Sequence, residues 1–272
     1  MKKLFLVTIV IIVGACTPKE RKWVAIGDSI TYLNDHLDET GDRVTKGYMT
    51  RVVEKLPAVT VVNKGYNGWT SGGIAREIEN LELEPADVYS VFLGTNDWWQ
   101  GRPVGTISDY ENNTGSETLY GAYRIIIDKL KALNKDAQII LITPLQRADF
   151  VYINDPTNNA YGSYKAKNGQ TLEQFASAIS AIGAYENADV IDLYHDSGIA
   201  VENCVKYKRL KAQESGEYNN YTYPGFVDVA FDPVADEYPY PVDAIDMTYD
   251  GLHPSDAGNE IIATMIVTKL GD

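Results

Sequence analysis

The sequence predicts a three-layer α/β/α sandwich built on a doubly wound parallel sheet, and two observations carry that prediction. Five short runs rich in Val and Ile, bounded by Gly, Asn, Asp or Pro, recur along the chain, as strands buried on both faces do. Between them lie segments whose apolar residues fall at helical spacing. Strand and helix alternating in this way place parallel strands side by side with helices on both faces. Ligands of such sheets sit outside the carboxyl ends of the strands.

The elements follow in order. "KWVAIG" (22–27) reads as the first strand. "GYMTRVVEKL" (47–56) is helical, with Tyr48, Val52 and Leu56 on one face, and "VTVVN" (59–63) is the second strand. "DVYSVFLG" (87–94) and "AQIILIT" (137–143) are the third and fourth strands, separated by the striped helix "YGAYRIIIDKLKAL" (120–133). The helix "TLEQFASAISAIGAY" (171–185) leads to a fifth strand, "ADVIDLY" (188–194). "PSDAGNEIIATMIVTKL" (254–270) opens on Pro and Ser, a good helix start, and closes the chain as an amphipathic helix. Two insertions break the rhythm. Residues 146–170 lack a period and read as a long surface loop, and residues 197–249 are dense in Tyr and Pro. Segments of that length are either lids over a site or excursions packed on their own tyrosines, and the sequence leaves both open.

Length and charge narrow the function. A chain of 272 residues with 44% hydrophobic residues supports one substantial core, read as a single domain over 23–272. With 24 Lys and Arg against 38 Asp and Glu, the net charge is −14, which excludes a sequence-independent grip on nucleic acid phosphates. Residues 1–16, "MKKLFLVTIVIIVGAC", join two lysines to a short apolar run and small residues before a cysteine. This is a secretory signal, and "VGAC" resembles a bacterial lipobox, which implies lipidation of Cys16 and a short tether over 17–22. The expectation is an exported lipoprotein held at a membrane surface by its lipid anchor. Cleavage with Cys16 incidental is the other reading. With Cys16 lipidated, Cys204 is the only remaining cysteine, so no disulfide and no Cys-based metal site can form.

The chain has three histidines. His36 lies in an acidic loop and His195 follows a strand. His253 stands three residues after Asp250 in "DGLHP", a spacing at which the carboxylate can accept the Nδ1 proton and leave Nε2 as a general base. Ser29, in "GDSI" just past the first strand, is either a helix cap, as Thr31 also could be, or a nucleophile on the ligand-binding edge of the sheet. "NKGYNGWTS" follows the second strand and "GTND" the third, and a glycine N–H and the Asn96 amide there can meet a carbonyl oxygen.

In order, "GDSI", "NKGYNGWTS", "GTND" and "DGLHP" resemble the four sequence blocks of the SGNH (GDSL) hydrolase family, with the family's usual leucine after the nucleophile replaced by Ile30. The resemblance implies a flavodoxin-like SGNH hydrolase fold and a serine esterase in which Ser29 is the nucleophile and Asp250 and His253 complete the triad. It further implies an oxyanion hole made by the N–H groups of Ser29 and Gly68 with the Asn96 side chain; Gly65 is the alternative to Gly68. No metal or organic cofactor is implied. Trp69, Trp98 and Trp99, beside the blocks, are either stacking surfaces for sugars or packing around the site. The expected substrate is therefore a small-molecule or glycan ester, foremost acetyl or another short acyl group on a carbohydrate. Lipase, lysophospholipase or thioesterase activity is the enzymatic alternative, and a non-catalytic carbohydrate-binding surface lipoprotein is the other class. The sequence identifies no protein partner.

Overall fold

The computed structural model describes residues 19–271, so the signal segment and Cys16 lie outside the described residues. In chain order the strands are β1 (Arg21–Gly27), β2 (Val59–Gly65), β3 (Val88–Phe92), β4 (Gln138–Ile142), β5 (Phe150–Val151), β6 (Asn159–Ala160), β7 (Asp189–Ile191), β8 (Lys208–Lys211) and β9 (Tyr218–Tyr221). The helices are α1 (Ser29–Tyr32), α2 (Tyr48–Lys55), α3 (Ser71–Glu77), α4 (Thr95–Trp99), α5 (Ile107–Glu111), α6 (Leu119–Leu133), α7 (Leu172–Glu186), α8 (Leu193–Asp196), α9 (Val201–Cys204) and α10 (Asp256–Gly271).

Five strands pair in parallel in the order β2-β1-β3-β4-β7, so the expected sandwich is the observed one. The pleat of β1 divides the core in two. Trp23 and Ala25 face Tyr48 and Val52 of α2 and Ile262 and Ile266 of α10. Val24 and Ile26 face Ile74 of α3, Ile126 of α6 and Ile179 of α7. The buried Trp23 indole is satisfied by donating to Ser90 Oγ at 2.8 Å, as a buried polar group must be. The chain runs from β1 outward to β2 and then returns to β3 on the other side of β1. That reversal opens a crevice at the carboxyl ends of β1 and β3.

The two insertions behave differently. Within 146–170, β5 and β6 form a two-residue antiparallel ladder, and the segment folds inward: Ala148 N donates to Gly251 O at 2.8 Å and Val151 N to Asp250 O at 3.2 Å. It is a wall of the crevice rather than the surface loop expected from its composition, because these backbone bonds tie it to the loop before α10. Residues 197–249 carry α9 and the β8–β9 hairpin, and bury Cys204, Leu210, Phe226 and Tyr240 in the core shared with α2 and α10. Neither expected reading, lid or excursion packed on its own tyrosines, describes it, because its apolar side chains join the core built by β1, α2 and α10. Its residues stay out of the cleft lining itself, while Lys208, Val227, Val229 and Phe231 line an adjoining cavity.

Candidate active site

β1 delivers the chain to the crevice, and the turn after it settles what Ser29 does. The residue capping α1 is Asp28, whose Oδ1 accepts from Ile30 N at 3.0 Å. Thr31 Oγ1 is occupied by the Tyr48 hydroxyl at 2.9 Å. Ser29 is therefore relieved of capping, and its Oγ lies 2.8 Å from His253 Nε2. Burial pushes the Asp28 carboxyl up to about 6, opposed by the Ile30 N–H.

The partner loop is closed by a bridge between Thr248 and Pro254 and by Tyr249 N donating to His253 O at 3.0 Å. Gly251 takes φ +90 inside it, a conformation glycine adopts without steric cost. Asp250 is fully buried. Its Oδ1 accepts from the N–H groups of Leu252 at 3.1 Å and His253 at 2.8 Å, and its Oδ2 lies 2.7 Å from His253 Nδ1. A carboxylate held this way fixes the imidazole tautomer and presents Nε2 to the serine. Phe150 meets the ring edge-on at 5.2 Å and Tyr249 stacks at 5.9 Å, which fixes its plane.

Opposite this pair stand the two loops from the neighbouring strands. Gly68 has φ +76 with no atom within 4 Å of where a Cβ would sit. Gly65 instead packs at the end of β2 against the backbone of Tyr32, so of the two glycines Gly68 is the one at the cleft. Asn96 donates one amide N–H to Trp69 O at 3.0 Å, which orients the amide and leaves its second N–H. Among the described residues, the backbone N–H groups of Ser29 and Gly68 donate to no internal acceptor. Asp97, buried beside Asn96, accepts from Ser71 N at 2.8 Å and Ser71 Oγ at 2.7 Å and sits 3.4 Å from Arg102 Nε. It ties the start of α3 to α4, and with it the Gly68 loop to Asn96.

Ser29, Gly68, Asn96 and His253 line one cleft of about 270 Å³. Its remaining wall brings in residues that sequence reasoning passed over: Asn67, Gln100, Arg147, Phe150 and Asn158. The last three come from the insertion at 146–170, which has no period to signal a facing direction. Of the three tryptophans, Trp98 must be withdrawn as a sugar contact: it is fully buried in the core and donates Nε1 to Gln170 O at 3.1 Å, because two residues along α4 turn it to the face opposite Asn96. Trp99 does line the cleft, but Lys167 Nζ already lies 4.2 Å over its ring. Trp69 packs against Tyr66 and borders an adjoining cavity of about 530 Å³ with Arg76, Glu77 and Gln100.

The other histidines are satisfied elsewhere. His36 stacks on Tyr32 at 3.7 Å. His195 repeats the spacing of the Asp250 pair, with Nδ1 2.8 Å from Asp192, yet its Nε2 meets Glu173 at 3.4 Å instead of a hydroxyl. Cys204 is buried, its thiol 3.5 Å from Gln146 O and pushed up to about 12 by burial, an unreactive structural cysteine.

The model of the GDSL-like lipase/acylhydrolase family matches residues 25–261. Among solved structures, "a possible lipase" from Chitinophaga pinensis is 60% identical with a TM-score of 0.91, covering 93% of this chain and 99% of that one. A protein from Lactobacillus plantarum, 19% identical, covers 93% and 97% with a TM-score of 0.61. An acetyl xylan esterase, also 19% identical, covers 92% and 99% with a TM-score of 0.54; these two share the fold. No curated protein matches the sequence.

Proposed function

The chain belongs to the GDSL-like lipase/acylhydrolase family and is an ester hydrolase, and on that premise we propose that it removes acetyl or other short acyl groups from carbohydrates through a Ser29 acyl-enzyme. The observation that carries the roles is the continuous relay from Asp250 to His253 to Ser29, with steps of 2.7 and 2.8 Å. His253 Nε2 takes the Ser29 proton as Oγ attacks the ester carbonyl. The oxyanion is held by the Ser29 and Gly68 N–H groups and the Asn96 amide. His253, now protonated, gives its proton to the leaving alcohol, and water repeats the cycle to free the acid.

The cleft argues for the substrate. About 270 Å³ lined by Asn67, Asn96, Gln100, Arg147 and Asn158 suits a short acyl chain and hydroxyl-rich alcohol better than a long alkyl chain, which would leave those polar groups unpaired. The second reading, a lipase, is favoured by the description of the Chitinophaga pinensis neighbour. Hydrolysis of p-nitrophenyl esters of increasing chain length by residues 17–272, beside Ser29→Ala, decides between them. Turnover of acetate and butyrate that vanishes in the variant supports the proposal; preference for long chains supports the lipase.

We propose further that Cys16 is lipidated and the domain tethered on the exported side of a membrane, on the strength of residues 1–16. Mass spectrometry of the full chain and of Cys16→Ser tests this: an N-terminus unmodified in both sinks it.

A further inference from the structure

An acidic chain of net charge −14 pairs many of its cations with carboxylates, as at Lys46 with Glu54 and Arg51 with Asp256. Around Trp99 the pattern is different. Arg147 is 1% exposed, lies 5.6 Å over Trp98 and 5.9 Å over Trp99, and lines the cleft with Ser29 and His253. Its guanidinium makes one hydrogen bond, Nη2 to Ala160 O at 3.3 Å, and its buried Nε has no partner. Burial lowers its pKa only to about 10, so it is a cation at neutral pH. Lys167 Nζ sits 4.2 Å over Trp99 and 5.3 Å over Tyr161, and Lys165 Nζ 5.6 Å over Tyr161. Among the described residues, none of Arg147, Lys165 and Lys167 has a carboxylate within ion-pair distance, although Asp250 and Asp149 lie near enough to Arg147 to favour its charge.

These cations gather where the cleft continues. A second cavity of about 210 Å³ shares Trp99, Phe150 and Ala160 with the cleft and is lined also by Lys165 and Lys208. The acid on its lining, Asp149, is already engaged by Lys208 at 2.8 Å, by Gly162 N at 3.0 Å and by the Tyr164 hydroxyl. Stacking on aromatic rings holds a cation in place without consuming its N–H donors. A buried guanidinium short of acceptors then presents a planar fork, the geometry that matches a carboxylate.

We infer that the sugar ester taken by this site carries a carboxylate, as in a uronic acid residue, seated where the cleft meets the second cavity, between Arg147 on the cleft side and Lys165 on the cavity side, with Lys167 over the Trp99 ring that both share. The inference rests on the proposed carbohydrate esterase activity and narrows its substrate. Charge–charge hydrogen bonds of this kind set a preference of about tenfold in kcat/KM. Screening weakens the two lysine contributions as salt rises.

Acetate release is to be measured on O-acetylated galacturonate oligosaccharides and on the same oligosaccharides with their carboxyls methyl-esterified, beside p-nitrophenyl acetate. The expected result is a preference of about tenfold or more for the free acid, shrinking in about 0.5 M salt. In the Lys165→Ala, Lys167→Ala double variant, whose side chains are not core, the ratio falls towards one through a higher KM for the acid. Arg147→Lys, which keeps the charge and loses the fork, lowers the ratio as well. A wild-type ratio of one or less, or a double variant with an unaltered ratio, overturns the inference while leaving the esterase reading intact. Turnover of p-nitrophenyl acetate with neither oligosaccharide cleaved overturns both the inference and the carbohydrate reading.

Discussion

Asp28 separates two jobs that the sequence lets one residue do. By capping α1 it leaves the Ser29 hydroxyl to His253, and it does so as a buried carboxyl whose pKa is raised to about 6, mainly by burial. The sign follows from linkage. Between about pH 4 and 6 the folded carboxyl keeps a proton that the unfolded one has released, so its contribution to stability is full below that window and is lost as pH rises through about 6. The loss is about 3 kcal/mol. Asp28→Asn keeps the acceptor for Ile30 N and removes the titration; urea unfolding at pH 4 and pH 7 is expected to show a smaller fall in stability for the variant than for wild type. At Asn96 the expected effect is on turnover alone. Asn96→Ala deletes an oriented N–H with little change in packing, and kcat for p-nitrophenyl acetate is expected to fall about 100-fold or more, with KM nearly unchanged.

At the scale of elements, the site is held by what joins the loops rather than by the loops themselves. Asp97 spans α3 and α4 through Ser71 and is fully buried. Asp97→Ala strands the Ser71 N–H and hydroxyl and the Arg102 guanidinium, and is expected to cost about 3 kcal/mol and to lower kcat by loosening the Gly68 loop against Asn96. Asp97→Asn, which keeps one of the two acceptor oxygens and removes the charge facing Arg102, recovers part of both, and thermal unfolding with steady-state kinetics reads the difference. Elements with a clear pattern were legible in the sequence: the five sheet strands, α2, α6 and α7; α10 was legible from its Pro254–Ser255 start, while the amphipathic stripe expected of it is blurred by Ile261, Met265 and Val267 outside its buried face. The short helices α3, α4 and α5 were not, since five to seven residues make too few turns to show a stripe. Likewise the spacing of Asp250 and His253 recurs at Asp192 and His195, and only the fold places a serine against one and Glu173 against the other. Trp98 and Trp99 are adjacent in sequence, yet one is core and the other lines the cleft, a distinction set by the register of α4.

For the whole molecule, the sequence reads the insertion at residues 146–170 as a surface loop and leaves that at residues 197–249 open, because irregular chain carries no signal of which way it faces. The shorter one became the cleft wall and the longer one became core. That assignment has a measurable consequence at Phe226, 1% exposed and packed edge-on against Tyr164 and Tyr223. If residues 197–249 moved as a lid, truncating an anchor there would alter substrate access and leave the rest of the fold standing. Packed as they are into the cluster that also holds Tyr48, Ile262 and Ile266, they unfold with it. Phe226→Ala is therefore expected to cost about 3 to 5 kcal/mol in a single cooperative urea transition, with KM for short esters unchanged under conditions where the variant is folded. An early partial transition, or a KM that falls while global stability holds, would instead show that the insertion opens as a unit. In that case the route to Ser29 would be regulated from the side of Trp99 and Phe150, where the insertion lines the cavity next to the cleft.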